Sequence, residues 1–425
     1  MPETKSCLYQ ITQKPDSTWS GFLVSNKNEL TMNHIPTIRL KKGKDQAVRR
    51  FHPWIFSGAL QQLPSNLSPG SLVSVADASG QLLGTAFYEG GTIALKMLSF
   101  GAEPVDEGFW RNKLNKALSL RRELGFLNNP HTNAYRLVHG EGDGLPGLVV
   151  DVYGSTAVLQ AQSAGMYESR EMLANLLFQL MEGRISAVYD KSAEALGRME
   201  HAAGDDAYLI GEQGESAVLE NGARFQVDWV KGQKTGFFLD QRDARRLLES
   251  YSKDKKVLNT FSYSGGFSVF ACRGGARQVV SVDSSRRAIE LCDQNIALNG
   301  FAEVHESVCV DAKKYLETLQ GNEFDVIVLD PPAFAKNHHN RHKGLQGYKY
   351  INYEAIRKLR QGGLLFTFSC SQAVDAASFQ AIVMAAAIEA GREVQLLHHL
   401  SQPADHPVSI FHPEGAYLKG LVLRV

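Results

Sequence analysis

The sequence contains few cysteines and no long apolar run. Its 425 residues include only Cys7, Cys272, Cys292, Cys309 and Cys370, and no two of them form a C-x-x-C pair. This spacing predicts neither a zinc site nor a disulfide framework and is typical of a reducing cytosol. No apolar run approaches the roughly 18 residues of a membrane span, and the N-terminus lacks a charged-then-apolar signal sequence. We therefore predict a cytoplasmic protein with no bound metal and no membrane partner.

The sequence also lacks an excess of charge of either sign. It has 45 basic and 45 acidic side chains, so its formal charge is +0. A nucleic-acid partner would have to meet local basic patches, because the protein as a whole is not basic. A length of 425 residues is too great for one ordinary domain, and the 44% of hydrophobic residues is usual for globular proteins. Two or three folded domains are expected.

Residue patterns divide the chain into four parts. Residues 1–35 have little periodicity and are predicted to be an N-terminal extension. Residues 36–105 contain short β segments, with a turn at Ser79-Gly80, and predict a small β-barrel. Residues 106–218 predict a small α+β domain. In residues 219–425 strands alternate with helices, which is typical of a parallel, doubly wound α/β sheet.

The elements expected in the two larger parts follow from hydrophobic spacing. In the central part we predict helices over 106–125 and 167–181, a hairpin that turns at 153–155, a strand over 185–189 and a domain boundary within 202–222. The strands predicted in the last part are 256–261, 278–283, 303–310, 324–330, 363–369, 393–400 and 417–425.

A glycine pair follows the first strand of the doubly wound part. Gly265 and Gly266 would let the backbone approach a ligand closely, and the helix that follows offers free N–H groups. Asp283 ends the next strand, where a carboxylate can bind both ribose hydroxyls of an adenosine. Asp311 ends the third strand and could reach an adenine amino group. Since G-x-G-x-x-G is absent, the set favours S-adenosylmethionine over NAD; the alternative is turn glycines and helix-capping aspartates.

Two motifs end the fourth and fifth strands of this part. Leu-Asp-Pro-Pro-Ala-Phe occupies 329–334, and Phe-Ser-Cys-Ser occupies 368–371. Ligands of open α/β sheets bind outside the carboxyl ends of the strands, so Asp330 and Cys370 are expected to share a crevice. Two prolines fix the backbone after Asp330 as a rigid ledge. Amino-group methyltransferases use a similar D-P-P-x-aromatic pattern to hold a planar base, so the motif indicates base methylation without naming the atom.

Cys370 distinguishes between the atoms that could be methylated. Carbon 5 of a pyrimidine is a weak nucleophile, but addition of a thiolate to carbon 6 makes carbon 5 able to attack a methyl sulfonium. Loss of the carbon-5 proton would then expel the thiolate. A cysteine is only a few per cent thiolate at neutral pH, so the site must activate it. A packing role for Cys370 is the alternative.

The segment 336–360 between these motifs is strongly cationic. Its glycines and tyrosines predict a flexible RNA-binding lid with rings that stack on bases. Three histidines of this segment (His338, His339, His342) lack a carboxylate or cysteine partner and do not predict a metal site. A second basic patch at 41–50 is either solvated or in contact with RNA. The cationic side chains of the segment are Lys336, Arg341, Lys343, Lys349, Arg357, Lys358 and Arg360, opposed by Glu354, and its glycines and tyrosines are Gly344, Gly347, Tyr348 and Tyr350.

From residue 38 to the C-terminus the chain resembles the bacterial large-subunit rRNA 5-methylcytosine methyltransferases that carry an N-terminal PUA domain. The resemblance implies a PUA barrel, a small central domain and a C-terminal Rossmann-like methyltransferase domain. It also implies S-adenosylmethionine as the methyl donor, Cys370 as the nucleophile and a possible homodimer. The motifs that carry it are RRFHPWIFSG (49–58), YRLVHGEGDGLPG (135–147), KTGFFLDQR (234–242), NTFSYSGGF (259–267), LDPPAF (329–334), FSCS (368–371) and DHP (405–407).

Motifs and resemblance together predict the residues of the site. The predicted catalytic residues are Cys370 and Asp330. The predicted cofactor-binding residues are Lys234, Thr235, Gly236, Gln241, Phe261, Ser262, Tyr263, Gly265, Gly266, Asp283, Ser284, Asp311, Ala312 and Asp330. The predicted substrate-binding residues are Pro331, Pro332, Phe334, Lys336, Arg341, Lys343, Tyr348 and His406.

The motifs predict base methylation through a covalent Cys370 adduct, and the resemblance implies carbon 5 of a cytosine in large-subunit rRNA as the target. Related RNA enzymes have a second cysteine for product release, where this chain has Ala333. Three alternatives stay open. One is a 5-methyluridine enzyme, although such enzymes usually continue Cys-Asn-Pro where this chain has Cys370-Ser-Gln. The others are an amino-group or guanine-nitrogen enzyme with an inert Cys370, and an RNA-binding module with a degenerate cofactor domain.

Overall fold

A computed structural model describes residues 35–63, 66–197, 205–335 and 337–425. The predicted N-terminal extension, apart from its last residue, and Lys336 lie outside the described residues, as does Cys7. Residues from Pro36 onward form one compact unit, so the boundaries predicted after 105 and 218 stay predictions. Among the described residues, no helix is long and apolar enough to cross a membrane.

The first sheet closes on itself. Its strand order is β1-β3-β4-β5-β2, with β1 and β3 parallel. Beyond β1, Lys41 N donates to Ala59 O and Gln61 N donates to Arg39 O, which joins the two edges of the sheet. These bonds make the predicted small β-barrel. Its elements are β1 (Thr37–Arg39), α1 (Gln46–Arg49), β2 (Trp54–Phe56), β3 (Leu72–Ala76), β4 (Leu82–Tyr88) and β5 (Ile93–Phe100).

The central part is a second five-stranded sheet, in the order β10-β9-β8-β7-β6, covered by helices. The predicted helix α2 begins after Asp106, whose carboxylate accepts a hydrogen bond from Phe109 N. The predicted hairpin turns at Gly154-Ser155. The elements are α2 (Glu107–Glu123), β6 (Ala134–His139), β7 (Leu148–Tyr153), β8 (Thr156–Ala161), α3 (Ala164–Glu168), α4 (Arg170–Leu180), β9 (Ala187–Asp190), α5 (Ala193–Leu196) and β10 (Ala207–Ile210).

The stretch 202–222, predicted to be a boundary, is structured where it is described. It contributes β10 to the central sheet, and β11 (Ala217–Glu220) forms a hairpin with β12 (Ala223–Gln226). The glycines and acidic residues around these four-residue strands masked their alternating pattern.

The C-terminal part is a seven-stranded sheet with the order β15-β14-β13-β16-β17-β19-β18. The first five strands are parallel, and β19 runs antiparallel to both β17 and β18. All seven predicted strands are present. The elements are α6 (Arg242–Tyr251), β13 (Lys256–Thr260), α7 (Gly266–Arg273), β14 (Gln278–Asp283), α8 (Arg286–Leu298), β15 (His305–Cys309), α9 (Ala312–Thr318), β16 (Val326–Leu329), α10 (Arg341–Lys358), β17 (Leu364–Ser369), α11 (Ala376–Glu389), β18 (Gln395–Leu400) and β19 (Lys419–Arg424).

The strand order reverses direction between β13 and β16. Helices that follow these strands lie on opposite faces of the sheet, which leaves a crevice at the carboxyl ends of the strands. The loops after β13, β14, β16 and β17 all open at this edge, since the four strands are parallel. The topology thus brings the predicted cofactor and catalytic motifs to one side of the sheet.

The prediction of a flexible lid over 336–360 is wrong. Most of the segment is the helix α10, and Tyr348, Ile351, Ala355 and Ile356 are fully buried along one side of it. The many charges hid this helical apolar spacing. Gly344 provides close packing, because a Cβ there would lie 2.6 Å from the Cβ of Ala335.

A buried aspartate, Asp405, joins the central and C-terminal parts through an ion pair and hydrogen bonds. Arg242 Nη1 lies 2.8 Å from Asp405 Oδ2, and both side chains are almost completely buried. Asp405 Oδ2 also accepts from Arg136 N, and the Asp405 carbonyl accepts from Arg121 Nη2 at 2.7 Å. Removal of one partner of such a pair leaves a buried charge unpaired, which is strongly destabilising.

Candidate active site

The motifs that end β16 and β17 lie side by side. The strands are hydrogen-bonded neighbours, with Leu329 opposite Thr367. One hydroxyl ties the two loops together: Ser371 Oγ accepts a hydrogen bond from Ala335 N at 3.2 Å and lies 2.8 Å from the Tyr348 hydroxyl. Asp330 and Cys370, both half-buried, follow directly after these neighbouring strand ends.

Asp330 is placed so that it can keep a proton near neutral pH. Gln241 Nε2 donates to Asp330 Oδ1 at 2.9 Å. Burial, and then the negative charge of Asp240, raise the pKa of Asp330 to about 7. Burial would also raise the pKa of Asp240, but Lys234, His406 and a hydrogen bond from Tyr417 outweigh it and hold that pKa well below its usual value. Asp240 is therefore the ionised member of the two carboxyl groups, and Asp330 is the one that can act as an acid.

Cys370 has opposing neighbours. Burial and the nearby Asp330 raise the pKa of the thiol, whereas the ammonium groups of Lys234 and Lys419 lower it. Lys419 is a residue that sequence reasoning missed, because it lies on β19, about fifty residues further along the chain. No local motif predicts this residue, because only the antiparallel pairing of β19 with β17 brings it close to Cys370.

The loop after β13 begins helix α7. Gly265 is its N-cap with a φ of 76°, and a Cβ there would lie 2.5 Å from Cys292 Sγ on α8. The glycine is required because α8 packs against it, and the predicted close approach to a ligand stays a prediction. Phe261 and Tyr263, in the same loop, have φ values of 57° and 44°. Such left-handed residues are costly and cluster at functional sites.

The two strand-end aspartates differ. Asp283 Oδ2 accepts from Tyr263 N at 3.0 Å and its Oδ1 accepts from Ser285 N at 2.9 Å, so it shapes the glycine loop. Asp311 is exposed, and its Oδ1 caps α9 by accepting two backbone hydrogen bonds. The helix-capping alternative is thus observed for Asp311. The neighbouring Ala312 side chain is buried, so only its backbone can face a ligand.

Some predicted cofactor residues are engaged elsewhere. Thr235 is buried and donates from Oγ1 to Asp151 Oδ2 at 2.5 Å, so its side chain is not free for a cofactor. A Cβ on Gly236 would lie 2.8 Å from Val227 Cγ1, so this glycine also serves packing. Lys234 is half-exposed, 3.6 Å from Asp240 Oδ2.

Three buried polar atoms in these loops lack hydrogen-bond partners among the described residues. They are Asp240 Oδ1, Gln241 Oε1, from the residue whose amide holds Asp330, and Ser262 Oγ, close to the glycine pair. A buried polar atom without a partner costs about 1–3 kcal/mol, and such atoms are commonly satisfied by a ligand or water. The crevice therefore fits a polar ligand that reaches both loops.

The predicted substrate residues are only partly at the crevice. Tyr348 is fully buried and Phe334 packs on it with ring centroids 4.8 Å apart, so Tyr348 cannot stack on a base. Arg341 instead binds Ala373 O and Asp375, while Lys343 is exposed. Of the two prolines of the ledge, Pro331 is buried and Pro332 exposed.

His406 is not a surface residue either. It is buried, and its Nδ1 lies 2.9 Å from Oδ1 of Asp405, the residue that joins the central and C-terminal parts. Burial and the charge of Arg136 lower the pKa of His406. The predicted direct contact with substrate is wrong for His406 and Tyr348, because the tertiary packing covers both side chains.

The predicted absence of a metal stays a prediction. In two places among the described residues, three ligand-type side chains come within 4.8 Å of one another, outside the Asp330–Cys370 crevice. The two groups are His52, His412 and Glu414, and Cys292, Asp293 and His305.

Comparison with known proteins identifies the fold family. Residues 137–424, more than half of the chain, match the model of S-adenosylmethionine-dependent methyltransferases. The chain belongs to this methyltransferase family. Residues 38–100 match a PUA-like domain, so the methyltransferase has an N-terminal PUA-like domain as the resemblance implied. S-adenosylmethionine is its cofactor, and the unsatisfied atoms of Gln241 and Ser262 fit such a ligand.

Similar proteins span nearly the whole methyltransferase. A relative named ribosomal RNA large subunit methyltransferase I, from Klebsiella pneumoniae (strain 342), is 39% identical and covers 93% of this chain and 100% of its own. One of the same name from Escherichia coli (strain SMS-3-5 / SECEC) is 40% identical, with coverages of 91% and 98%. A solved putative SAM-dependent methyltransferase from Streptococcus mutans has a TM-score of 0.78 at 22% identity, covering 92% and 100%. A putative methyltransferase complexed with SAH has the same TM-score at 23% identity and the same coverages. These two structures share the fold.

Proposed function

We propose that this methyltransferase transfers a methyl group from S-adenosylmethionine to carbon 5 of a cytosine in large-subunit ribosomal RNA, with Cys370 as the nucleophile. The RNA class is supported by relatives about two-fifths identical over nearly the whole chain, which are named as large-subunit ribosomal RNA methyltransferases. The N-terminal PUA-like domain is consistent with an RNA partner. Homodimer formation stays a prediction.

The observation that carries the proposal is the adjacency of a half-buried thiol and a carboxyl group of raised pKa. Asp330, with a pKa of about 7, is partly protonated at neutral pH. A protonated carboxyl group can donate to ring nitrogen 3 of cytosine, which has a lone pair. Nitrogen 3 of uracil carries a hydrogen, so its N–H donor would face the O–H donor of the protonated carboxyl group. The pairing therefore favours cytosine over uridine.

Cys370 supplies the covalent step. Its thiolate adds to carbon 6, and the ring electrons move towards nitrogen 3, where the proton of Asp330 neutralises them. Carbon 5 then has the electron density to take a methyl group, and S-adenosylmethionine supplies that group in electrophilic form. Loss of the carbon-5 proton restores the carbon 5–carbon 6 double bond and expels the thiolate, and nitrogen 3 returns its proton to Asp330. Ala333 offers no second thiol, so Cys370 acts alone.

We propose that the cofactor lies along the loops after β13 and β14. The backbone N–H groups at the start of α7, after Gly265, suit the carboxylate of the cofactor. Asp283 keeps further lone pairs for the ribose hydroxyls. Ser262 Oγ and Gln241 Oε1 are available because they have no partners among the residues described. For Asp311 the backbone of the 311–312 turn is the better candidate for adenine.

A covalent-trapping experiment tests the proposal. The protein is incubated with S-adenosylmethionine and a large-subunit rRNA fragment that contains 5-fluorocytidine, whose fluorine cannot be removed as a proton. A denaturant-resistant protein–RNA adduct is expected, and Cys370→Ala is expected to abolish it. Cys309→Ala is the matched control, because Cys309 is a half-buried cysteine at the end of another parallel strand.

Each alternative has its own outcome. A 5-methyluridine enzyme would give the adduct with 5-fluorouridine and not with 5-fluorocytidine. An amino-group or guanine-nitrogen enzyme would give no adduct, and its Cys370→Ala variant would keep full activity. That last result would refute the covalent mechanism.

A further inference from the structure

We propose that Lys419 is the positioning residue that stabilises the Cys370 thiolate. Its ammonium group is held on the neighbouring strand, opposite Ser369, the residue before Cys370. The inference rests on the proposed function, because it assigns a partner to the proposed nucleophile. Lys419 belongs to the last strand, and none of the motifs that predicted the site includes it.

The position of Lys419 follows from strand register. β19 runs antiparallel to β17, and Lys419 lies directly opposite Ser369, the last residue of β17 before Cys370. Its Nζ donates to the carbonyl oxygen of Ser371 at 2.6 Å and to that of Tyr417 at 2.7 Å. The carbonyls of Ser371, the residue after Cys370, and of Tyr417 thus hold the ammonium group at the end of β17.

Two of the three N–H bonds of Lys419 are used by these carbonyls. The third has no hydrogen-bond partner among the described residues. Short, charge-assisted bonds to two carbonyls favour the protonated amine, so the third position is an N–H donor and not a lone pair. The geometry therefore suits a thiolate partner better than a general base.

The remaining charges around Cys370 explain why such a partner is required. Asp330 ends β16 and Asp240 precedes α6, and both oppose a second negative charge. Lys234 is the other cation and lowers the pKa of Cys370 more than Lys419 does, but it is half-exposed and also lies 3.6 Å from Asp240. Lys419 is half-buried, and a cation of low exposure acts more strongly on a nearby anion than one in water.

The charge state of Lys419 agrees with this role. Burial lowers its pKa to about 8, while Cys370 and Asp375 act in the opposite direction. At pH 7 the amine is therefore mostly protonated. The thiol loses its proton to solvent, the ammonium keeps its three protons, and the thiolate pairs with it before attack and again after expulsion. No proton passes to Lys419 in this sequence.

The test measures how readily Cys370 ionises, without RNA. The holoprotein is alkylated with iodoacetamide from pH 6 to 10, and the Cys370 and Cys309 peptides are quantified by mass spectrometry. In Lys419→Gln and Lys419→Met the pH of half-maximal Cys370 alkylation is expected to rise by about one unit, as for loss of a nearby opposite charge. Lys419→Arg, which keeps the charge, should stay close to the wild type.

The controls separate an electrostatic effect from a structural one. Lys349→Gln removes a lysine that is paired with Glu389 on α11 and should leave the profile unchanged. The Cys309 peptide should keep its profile in every variant, and cofactor binding reports correct folding. An unchanged Cys370 profile in a folded Lys419→Gln or Lys419→Met protein would overturn the inference.

Failure of this inference is distinguishable from failure of the proposed function. A shifted alkylation profile without a 5-fluorocytidine adduct would retain the Lys419–Cys370 pair and refute the cytosine chemistry. An adduct together with an unchanged alkylation profile would retain the chemistry and refute the role of Lys419.

Discussion

Replacing Asp330 by asparagine is expected to stabilise the protein above pH 7 while it abolishes methyl transfer. The reason is that the folded structure holds this carboxyl group where ionisation is unfavourable. Its pKa is about 7 in the folded protein, against an ordinary value of 3.8. The folded state therefore binds a proton that the unfolded chain has already released, and stability falls as the pH rises from about 4 to about 7.

The pKa difference bounds the effect. At pH 8 both states are ionised, so the cost to folding reaches at most about 4 kcal/mol, from 1.36 kcal/mol per pH unit. At pH 5 the cost is at most about 2 kcal/mol on the same basis. Because Asp330 is half-buried, solvent screening makes both values smaller. Asparagine keeps an acceptor for Gln241 Nε2 and does not ionise, so it removes the cost.

Urea unfolding at pH 5 and pH 8 measures the effect. The difference between Asp330→Asn and wild type should grow with pH in favour of the variant. Asp325→Asn is the matched control at the opposite end of β16. Although burial favours its protonated form, the Lys256 N–H and Arg360 hold the pKa of Asp325 below its usual value. Ionised Asp325 stabilises the folded protein at any pH above the ordinary carboxyl pKa of 3.8, so Asp325→Asn should lower the free energy of unfolding at pH 8.

An Asp330→Asn protein that gains no stability between pH 5 and pH 8 would refute the reasoning. It would mean that the carboxyl group is ionised at little cost, and the argument that it donates a proton to nitrogen 3 would lose its basis.

Three further substitutions test the packing that shapes the site. Gly265→Ala should weaken S-adenosylmethionine binding at least tenfold by calorimetry, because the added methyl group would collide with a cysteine sulfur and the residue has a left-handed φ. The control Gly300→Ala has a similar φ of 78° but open space around it, and should bind the cofactor normally. Gly344→Ala should lower the methylation rate despite the helix preference of alanine, because the methyl group would displace Phe334 and Ala335, which follow the proline ledge. Unchanged kinetics would contradict this. Asp405→Ala should destabilise by about 3–5 kcal/mol in urea titrations, since it leaves Arg242 with only Glu220, at 3.6 Å, and removes the acceptor of Arg136 N. A loss below about 1 kcal/mol would contradict a stabilising buried ion pair.

Local patterns were reliable where their consequence is local or follows from topology. Strand and helix spacing predicted all seven strands of the last sheet, and parallel strands bring their carboxyl ends to one edge. The proximity of Asp330 and Cys370 could therefore be predicted without coordinates. The segment 336–360 was predicted wrongly because its charges were weighed above the buried stripe that includes Tyr348 and Ile351.

Side-chain burial depends on which elements pack together, and sequence patterns do not contain that information. His406 lies in the DHP motif, but its ring is buried against Asp405. Asp405 in turn binds Arg242 and the backbone N–H of Arg136, from distant parts of the chain. Gly265 was predicted to bind the cofactor from its motif, but the motif does not show that a Cβ there would meet Cys292 on α8.

The sequence by itself determined the order of the elements, the methyltransferase motifs and the candidate nucleophile, because these follow from spacing and residue chemistry along the chain. Only the tertiary structure decided how those groups are charged. The pKa of Asp330 depends on Asp240 and on burial, and the thiol of Cys370 meets Lys419 through the antiparallel pairing of the last strand. Electrostatic interactions act through space over a few ångströms, and the residues that make them here are separated by tens of positions or more in the chain.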